Sequence, residues 1–174
     1  STSQLKLSLR EFNRAGLDFS NTATWSGPLK IVDMPDTPEL SNYYDYNRVE
    51  TTMFNDEILD GNGKDKVYAR AGNDILHSKA GDDELYGGEG SDTYKIGAGV
   101  GHRYILEENY NNGGNDTVEF SALKFSDMRM VVNEDGFTIR GNDWNSSAWV
   151  RNQLSTDADN VIENFKFSDA SKSW

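Results

Sequence analysis

Large apolar or aromatic side chains recur at a fixed interval in the middle of the chain: Ile58, Val67, Leu76, Leu85 and Tyr94. An aspartate stands two residues before each, at 56, 65, 74, 83 and 92, and glycines keep the same step at 63, 72, 81 and 90. Three residue classes sharing one phase mark an internal repeat of nine. An amphipathic helix repeats near 3.6 residues and a plain hairpin meander has no such period. A nine-residue unit instead suits a strand of about three residues, its apolar side chain inward, followed by a Gly-rich turn of about six that ends in Asp. Two units make one coil of a flattened parallel solenoid, so turns eighteen residues apart stack on one edge. Asp56, Asp74 and Asp92 are expected on one side, Asp65 and Asp83 on the other.

Outside the array the periodicity shortens to two. Thr117 to Phe120, Met128 to Val132 and Phe137 to Arg140 read as strands, with "NEDG" as a hairpin turn between the last two, and "VIENFKF" adds a closing strand. This segment is expected to cover the open C-terminal end of the solenoid, with Trp144 and Trp149 buried in it. Near the N-terminus, "SLRE" at Ser8 to Glu11 fits a helix-capping box with Gly16 as a stop, whereas Leu5, Leu7 and Leu9 alternate as in a strand; both readings stand. Ser26-Gly27-Pro28 suits a turn, and "NYYDYN" at 42–47 reads as an exposed aromatic patch or as part of an N-terminal cap. The expected fold is all-β: a parallel β-roll over 55–96, a flank or cap over 1–54, and an antiparallel β capping region over 97–174.

Charge turns this geometry into chemistry. Seventeen Lys and Arg against twenty-nine Asp and Glu leave a net charge of −12, which disfavours nucleic acid and anionic membrane surfaces as partners. Residues 55–94 hold seven Asp and three Glu against three Lys and one Arg, a local net of −6, so half of the excess lies in the repeat. Like charges stacked several ångströms apart cost on the order of a kcal/mol or more at protein-like dielectric, so the columns call for a cation. Calcium takes six to eight oxygen ligands in flexible geometry, which carboxylates and turn carbonyls from two stacked turns supply; magnesium, smaller and slow to shed water, suits the turns less. The expected ligand set is Asp60, Gly61, Gly63, Asp65, Gly72, Asp74, Gly81, Asp83, Gly87, Gly88, Gly90 and Asp92, the glycines lending carbonyls at backbone angles a side chain would obstruct. Several ions are expected per chain. With no cysteine, neither a disulfide nor a thiolate site holds the chain together.

The stretch resembles the RTX nonapeptide repeat of bacterial type I secreted proteins, whose pattern is Gly-Gly-x-Gly-x-Asp-x-apolar-x. "GGEGSDTYK" from Gly87 to Lys95 meets it in full, with tyrosine as the apolar residue. "DGNGKDKVY" keeps one leading glycine, "ARAGNDILH" and "SKAGDDELY" keep neither, and "TTMFNDEIL" retains only Asn-Asp-x-Ile-Leu. Sites are therefore expected between turns 60–65 and 78–83 and between 69–74 and 87–92, not at 51–56. The following "GSDTYKIGAGVGHRYILEE", "GGNDTVEFSAL", "NEDGFTIR" and "VIENFKFSD" look like the flank of such arrays in RTX cytotoxins and adhesins, so the likeness runs over roughly 55–169, about two thirds of the chain.

The resemblance implies a calcium-dependent folding module of a secreted or cell-surface protein, monomeric, disordered at low calcium and folding on export. Two rival readings stand beside it: a module binding a host-cell or glycan surface, through Tyr43, Tyr44, Tyr46, Trp144 and Trp149, and an accessory polysaccharide-binding module of a secreted enzyme. No catalytic set is evident: His77 and His102 are the only histidines, HExxH is absent, and "GEGSDTY" is not a Gly-x-Ser-x-Gly elbow. "DGNGKD" lacks the glycine and the closing Glu of an EF-hand. No apolar run reaches the length of a membrane span, and the first residues lack a secretory signal pattern.

Overall fold

The computed structural model describes residues 3–5, 17–18, 27–31, 46–107, 114–142, 146–154, 161–169 and 171–173. Two eight-stranded sheets account for nearly all of its regular structure. The alternation of the repeat explains why. In β5 (Glu57–Leu59), β6 (Asp65–Tyr68), β7 (Ile75–Ser78), β8 (Asp83–Tyr86) and β9 (Thr93–Ile96), the apolar residue two places after each aspartate is the inward one. Ile58, Val67, Leu76, Leu85 and Tyr94 are all at most 1% exposed. After each of these short strands the turn hands the chain to the opposite sheet.

Alternate strands therefore fall in alternate sheets. One sheet runs β1 (Ser3–Leu5), β3 (Leu29–Ile31), β5, β7, β9, β11 (Thr117–Phe120), β15 (Asn164–Lys166), β16 (Ser171–Ser173). The other runs β2 (Leu17–Asp18), β4 (Asn47–Glu50), β6, β8, β10 (Gly101–Leu106), β14 (Ser146–Arg151), β13 (Gly136–Arg140), β12 (Arg129–Asn133). Pairing is parallel from β1 to β15 and from β2 to β14. The chain is thus an all-β parallel roll, and its ladders extend on both sides of the nine-residue array.

The core is two facing columns. Ile31, Ile58, Leu76, Tyr94, Val118 and Phe165 line up in one sheet, and Val49, Val67, Leu85, Ile105 and Val150 in the other. Each of these is at most 1% exposed. Burying a side chain of this size contributes about 1.5–3 kcal/mol, so the columns supply the main cohesive force across the roll. At the C-terminal end pairing turns antiparallel: β12 with β13, β13 with β14, and β15 with β16. Phe137 of β13 reaches Phe165 of β15 with ring centroids 5.5 Å apart, bridging the sheets where the parallel strands stop.

Trp149 departs from the expectation of burial. In β14 the inward positions belong to Ala148 and Val150, both fully buried, which turns Trp149 onto the outer face against Tyr104, centroids 5.5 Å apart. The proposed "NEDG" turn joins β12 to β13. Trp144, Tyr43, Tyr44 and the alternatives for residues 6–16 lie outside the described residues. No described helix is long and apolar enough to cross a membrane.

Candidate metal centre

Each edge of the roll carries a column of acids. On the edge where chain passes from the second sheet to the first, the register sets Asp56, Asp74, Asp92, Asp116 and Glu163 level, each just before its strand. They are tied by one repeated bond. The backbone N–H of Asp56 donates to Asp74 Oδ1 at 2.6 Å, that of Asp74 to Asp92 Oδ1 at 2.8 Å, that of Asp92 to Asp116 Oδ1 at 2.7 Å, and that of Asp116 to Glu163 Oε2 at 2.6 Å. Every carboxylate in the ladder accepts from the turn before it. This orients the acids but leaves most of their charge unbalanced.

At the N-terminal end the balance is protein-made. Asp56 accepts from the Leu29 N–H at 2.6 Å, from the Thr52 N–H at 2.8 Å and from the Thr52 hydroxyl at 2.8 Å, so both its oxygens are engaged. Farther along, Oδ2 of Asp74 and of Asp92 are buried with no hydrogen-bond partner among the described residues. An unpaired buried carboxylate oxygen carries a desolvation penalty of about 1–3 kcal/mol or more. Burial accordingly pushes Asp74 up to about 9 and Asp92 up to about 8; the neighbouring carboxylates add to this, and the ladder bonds oppose it.

The last coil gathers a further cluster. Asp92, Glu107 and Asp116, all buried, bring one carboxylate oxygen each within 4.8 Å of one another. Burial raises Asp116 to about 7 and holds Glu107 well above the usual carboxylate range. The Tyr94 hydroxyl, at the end of a core ring, accepts from the Gly87 N–H at 2.7 Å and donates to Glu107 Oε1. Neither Glu107 nor Asp116 falls on the nine-residue step. Asp116 keeps the local frame, with Gly114 two before it and Val118 two after, and that frame was the available signal. Glu107 has no such mark.

On the opposite edge Asp60, Asp65 and Asp83 form the second cluster, again buried and within 4.8 Å. The Asp65 N–H donates to Asp83 Oδ1 at 3.2 Å, Asn47 Nδ2 donates to Asp65 Oδ1 at 2.8 Å, and the Lys79 N–H donates to Asp60 Oδ1 at 2.7 Å. Asp60 Oδ2 has no hydrogen-bond partner among the described residues. Burial first, then Asp83 and Asp65, hold Asp60 well above its ordinary range, and burial lifts Asp83 to about 7.

The glycines bring the turns close enough to share a ligand. Gly81 has φ +126° and a Cβ there would lie 1.8 Å from the Gly63 carbonyl oxygen; Gly90, at φ +123°, would meet the Gly72 oxygen at 1.8 Å. Only a residue without Cβ permits that stacking. Gly87 packs against Asp92 Oδ2 and Gly88 against the Arg70 carbonyl, while Gly61 is buried in the 60–65 turn. All twelve expected positions thus fall in the stacked turns, six on each edge.

Buried carboxylates with unpartnered oxygens, beside stacked glycine turns, are an all-oxygen donor set suited to a hard divalent ion. His77 and His102 stand apart from it: His77 Nε2 lies 3.3 Å from Glu57 on the outer face, and His102 Nδ1 lies 2.8 Å from the Ser147 hydroxyl. A family model described as the RTX calcium-binding nonapeptide repeat (4 copies) matches residues 51–85 and 71–100. No curated protein matches the chain. Residues 51–100 carry RTX calcium-binding nonapeptide repeats, wound here as a β-roll.

Proposed function

We propose that this is a calcium-triggered folding module of a secreted protein, disordered where calcium is scarce and wound where it is plentiful. The observation that carries the reading is the set of buried carboxylate oxygens, Oδ2 of Asp60, Asp74 and Asp92, that find no hydrogen-bond partner among the described residues. Uncompensated buried charge opposes winding, and a divalent ion that binds only the wound state reverses the balance. Each site contributes RT ln(1 + [Ca]/Kd), about 1.4 kcal/mol at ten times Kd, a substantial share of a domain stability of about 5–15 kcal/mol. Dissociation constants of roughly 0.1–1 mM, usual for extracellular modules, suit a switch between cytosol and exterior.

In this reading Asp60, Asp65 and Asp83 hold one ion with carbonyls of Gly61, Gly63 and Gly81, and Asp74 and Asp92 hold another with those of Gly72, Gly87, Gly88 and Gly90. The calcium supplies charge neutralisation and ties adjacent turns. The chain's part is to fix the carboxylates through the N–H ladder and to exclude water behind them with the apolar columns. Residues 1–54 and 97–174 serve as the ends of the roll, protecting its edges. Circular dichroism in excess chelator tests the proposal: a spectrum without β signal that returns on adding calcium is expected, and full β signal in chelator overturns it.

A second role, recognition of a glycan or cell surface, draws support from the aromatic outer face of the second sheet. Tyr68 and Tyr86 stack at 4.6 Å there, and Tyr104 lies against Trp149. Replacing Tyr43, Tyr44, Tyr46, Trp144 and Trp149 together with Ala abolishes attachment if this role holds.

A further inference from the structure

The two edges of the roll end differently. On each edge a glycine stacks on the glycine of the previous turn and an ionisable residue follows two places later. The first edge reads Gly72–Asp74, Gly90–Asp92, Gly114–Asp116, and a Cβ on Gly114 would sit 1.7 Å from the Gly90 oxygen. The second reads Gly63–Asp65, Gly81–Asp83, Gly101–Arg103, and a Cβ on Gly101 would sit 1.9 Å from the Gly81 oxygen. The strand register confirms the equivalence, since Arg103 of β10 pairs with Asp83 of β8. An arginine therefore stands where the frame places an acid.

Its side chain is fully buried, an unusual position for a guanidinium. Nε donates to the Ser78 hydroxyl at 2.9 Å, Nη1 to the Gly99 and Gly101 carbonyls at 3.0 and 2.9 Å, and Nη2 to the Lys79 carbonyl at 3.1 Å. Nε also lies 3.8 Å from Asp83 Oδ2, and the Ser78 hydroxyl links the two by donating to that oxygen at 2.6 Å. Turn carbonyls from two successive coils together with an aspartate are the oxygen set that a hard cation would take between them. Here a fixed, fully buried positive charge holds the set through its planar fork of donors.

We propose that Arg103 is a built-in cation occupying the ion position between turns 78–83 and 97–103, so that the second edge binds metal only on the N-terminal side of Asp83. The first edge keeps acids through the matching coil and beyond, at Asp116 and Glu163. The inference rests on the calcium reading of the other turns and adds that one coil is closed by the chain's own charge. Occupancy is then asymmetric, and the number of ions is set by the residue at 103.

Crystals of the unaltered chain grown with terbium locate ions directly by anomalous scattering. Ions beside Asp60, Asp65 and Asp83 and beside Asp74 and Asp92, with none bonded to the Lys79, Gly99 and Gly101 carbonyls, are expected. An ion at those three carbonyls overturns the inference alone; no ion on either edge overturns it together with the calcium reading. Equilibrium dialysis of Arg103→Asp against radioactive calcium is expected to show a gain of about one ion per chain, and an unchanged count in the folded variant overturns the inference. Should that variant not fold, the ion positions in the unaltered chain decide.

Discussion

The backbone N–H of Asp74 donates to Oδ1 of Asp92, eighteen residues farther along, at 2.8 Å, while Oδ2 of Asp92 is buried without a hydrogen-bond partner among the described residues. One oxygen builds the ladder and the other is left for an ion. Asp92→Asn separates these roles, because the amide keeps an acceptor for Asp74 and loses the charge. The calcium concentration at the folding midpoint should rise tenfold or more, about 1.4 kcal/mol or greater in binding. In chelator the same variant should retain more β structure than the parent, since a buried charge has been removed. A calcium titration followed by circular dichroism reads both, and a variant with no more structure in chelator than the parent contradicts the assignment of Oδ2.

The metal-free protein should respond to acid in the sense opposite to ordinary acid denaturation. Burial raises Asp74 to about 9, Asp92 to about 8, and Asp83 and Asp116 to about 7, against an unfolded value near 4. Between those limits the wound state binds more protons than the unwound one, so its stability falls as pH rises through the window. In chelator, β signal should increase as pH is lowered from about 9 toward about 5, with protons doing part of the cation's work. Saturating calcium should abolish this trend. A chelated sample that gains no β signal over that descent refutes it.

Much of this site is legible in the residues alone because one physical requirement writes a period: each coil needs an inward apolar side chain and a stacking turn. That period places Ile58 to Tyr94 in the core and separates Asp65 and Asp83 from Asp74 and Asp92. It fails where loops lengthen. Asp116 lies twenty-four residues beyond Asp92 yet receives the same backbone bond, and only its Gly-x-Asp-x-apolar frame betrays it. Glu107 enters through folding, drawn to the turn by the Tyr94 hydroxyl. Arg103 is invisible to a frame that specifies an acid at that position. Trp149 faces outward, against its size, because alternation in β14 decides which residues point inward.

The close stacking of turns makes glycine replacement at the edges severe. Gly81→Ala would set a methyl 1.8 Å from the Gly63 carbonyl oxygen at φ +126°, so the turns must part or the backbone must rotate. The strained conformation alone costs about 1–3 kcal/mol, and the contact adds to it. Calcium-induced folding should shift to markedly higher calcium. Gly27→Ala, where nothing lies within 4 Å of the added methyl, should leave the titration unchanged. Equal midpoints for the two variants would show that the turns do not bear on each other.

Thr52 tests whether the first acid of the ladder is satisfied by protein rather than by metal. Its hydroxyl donates to Asp56 at 2.8 Å and accepts from the Phe54 N–H at 3.1 Å, while its own N–H also reaches Asp56 at 2.8 Å. Thr52→Val keeps the shape and removes the hydroxyl, leaving a buried carboxylate one donor short. A loss of about 1–3 kcal/mol is expected by denaturant unfolding in saturating calcium. The number of ions bound should stay the same, because Asp56 already draws its donors from Leu29 and Thr52. Combining Thr52→Val with Asp56→Asn should cost less than the sum of the separate changes, since the two groups answer one another. A gain of a calcium ion on removing the hydroxyl would show instead that Thr52 excludes metal from a site the acid could otherwise hold.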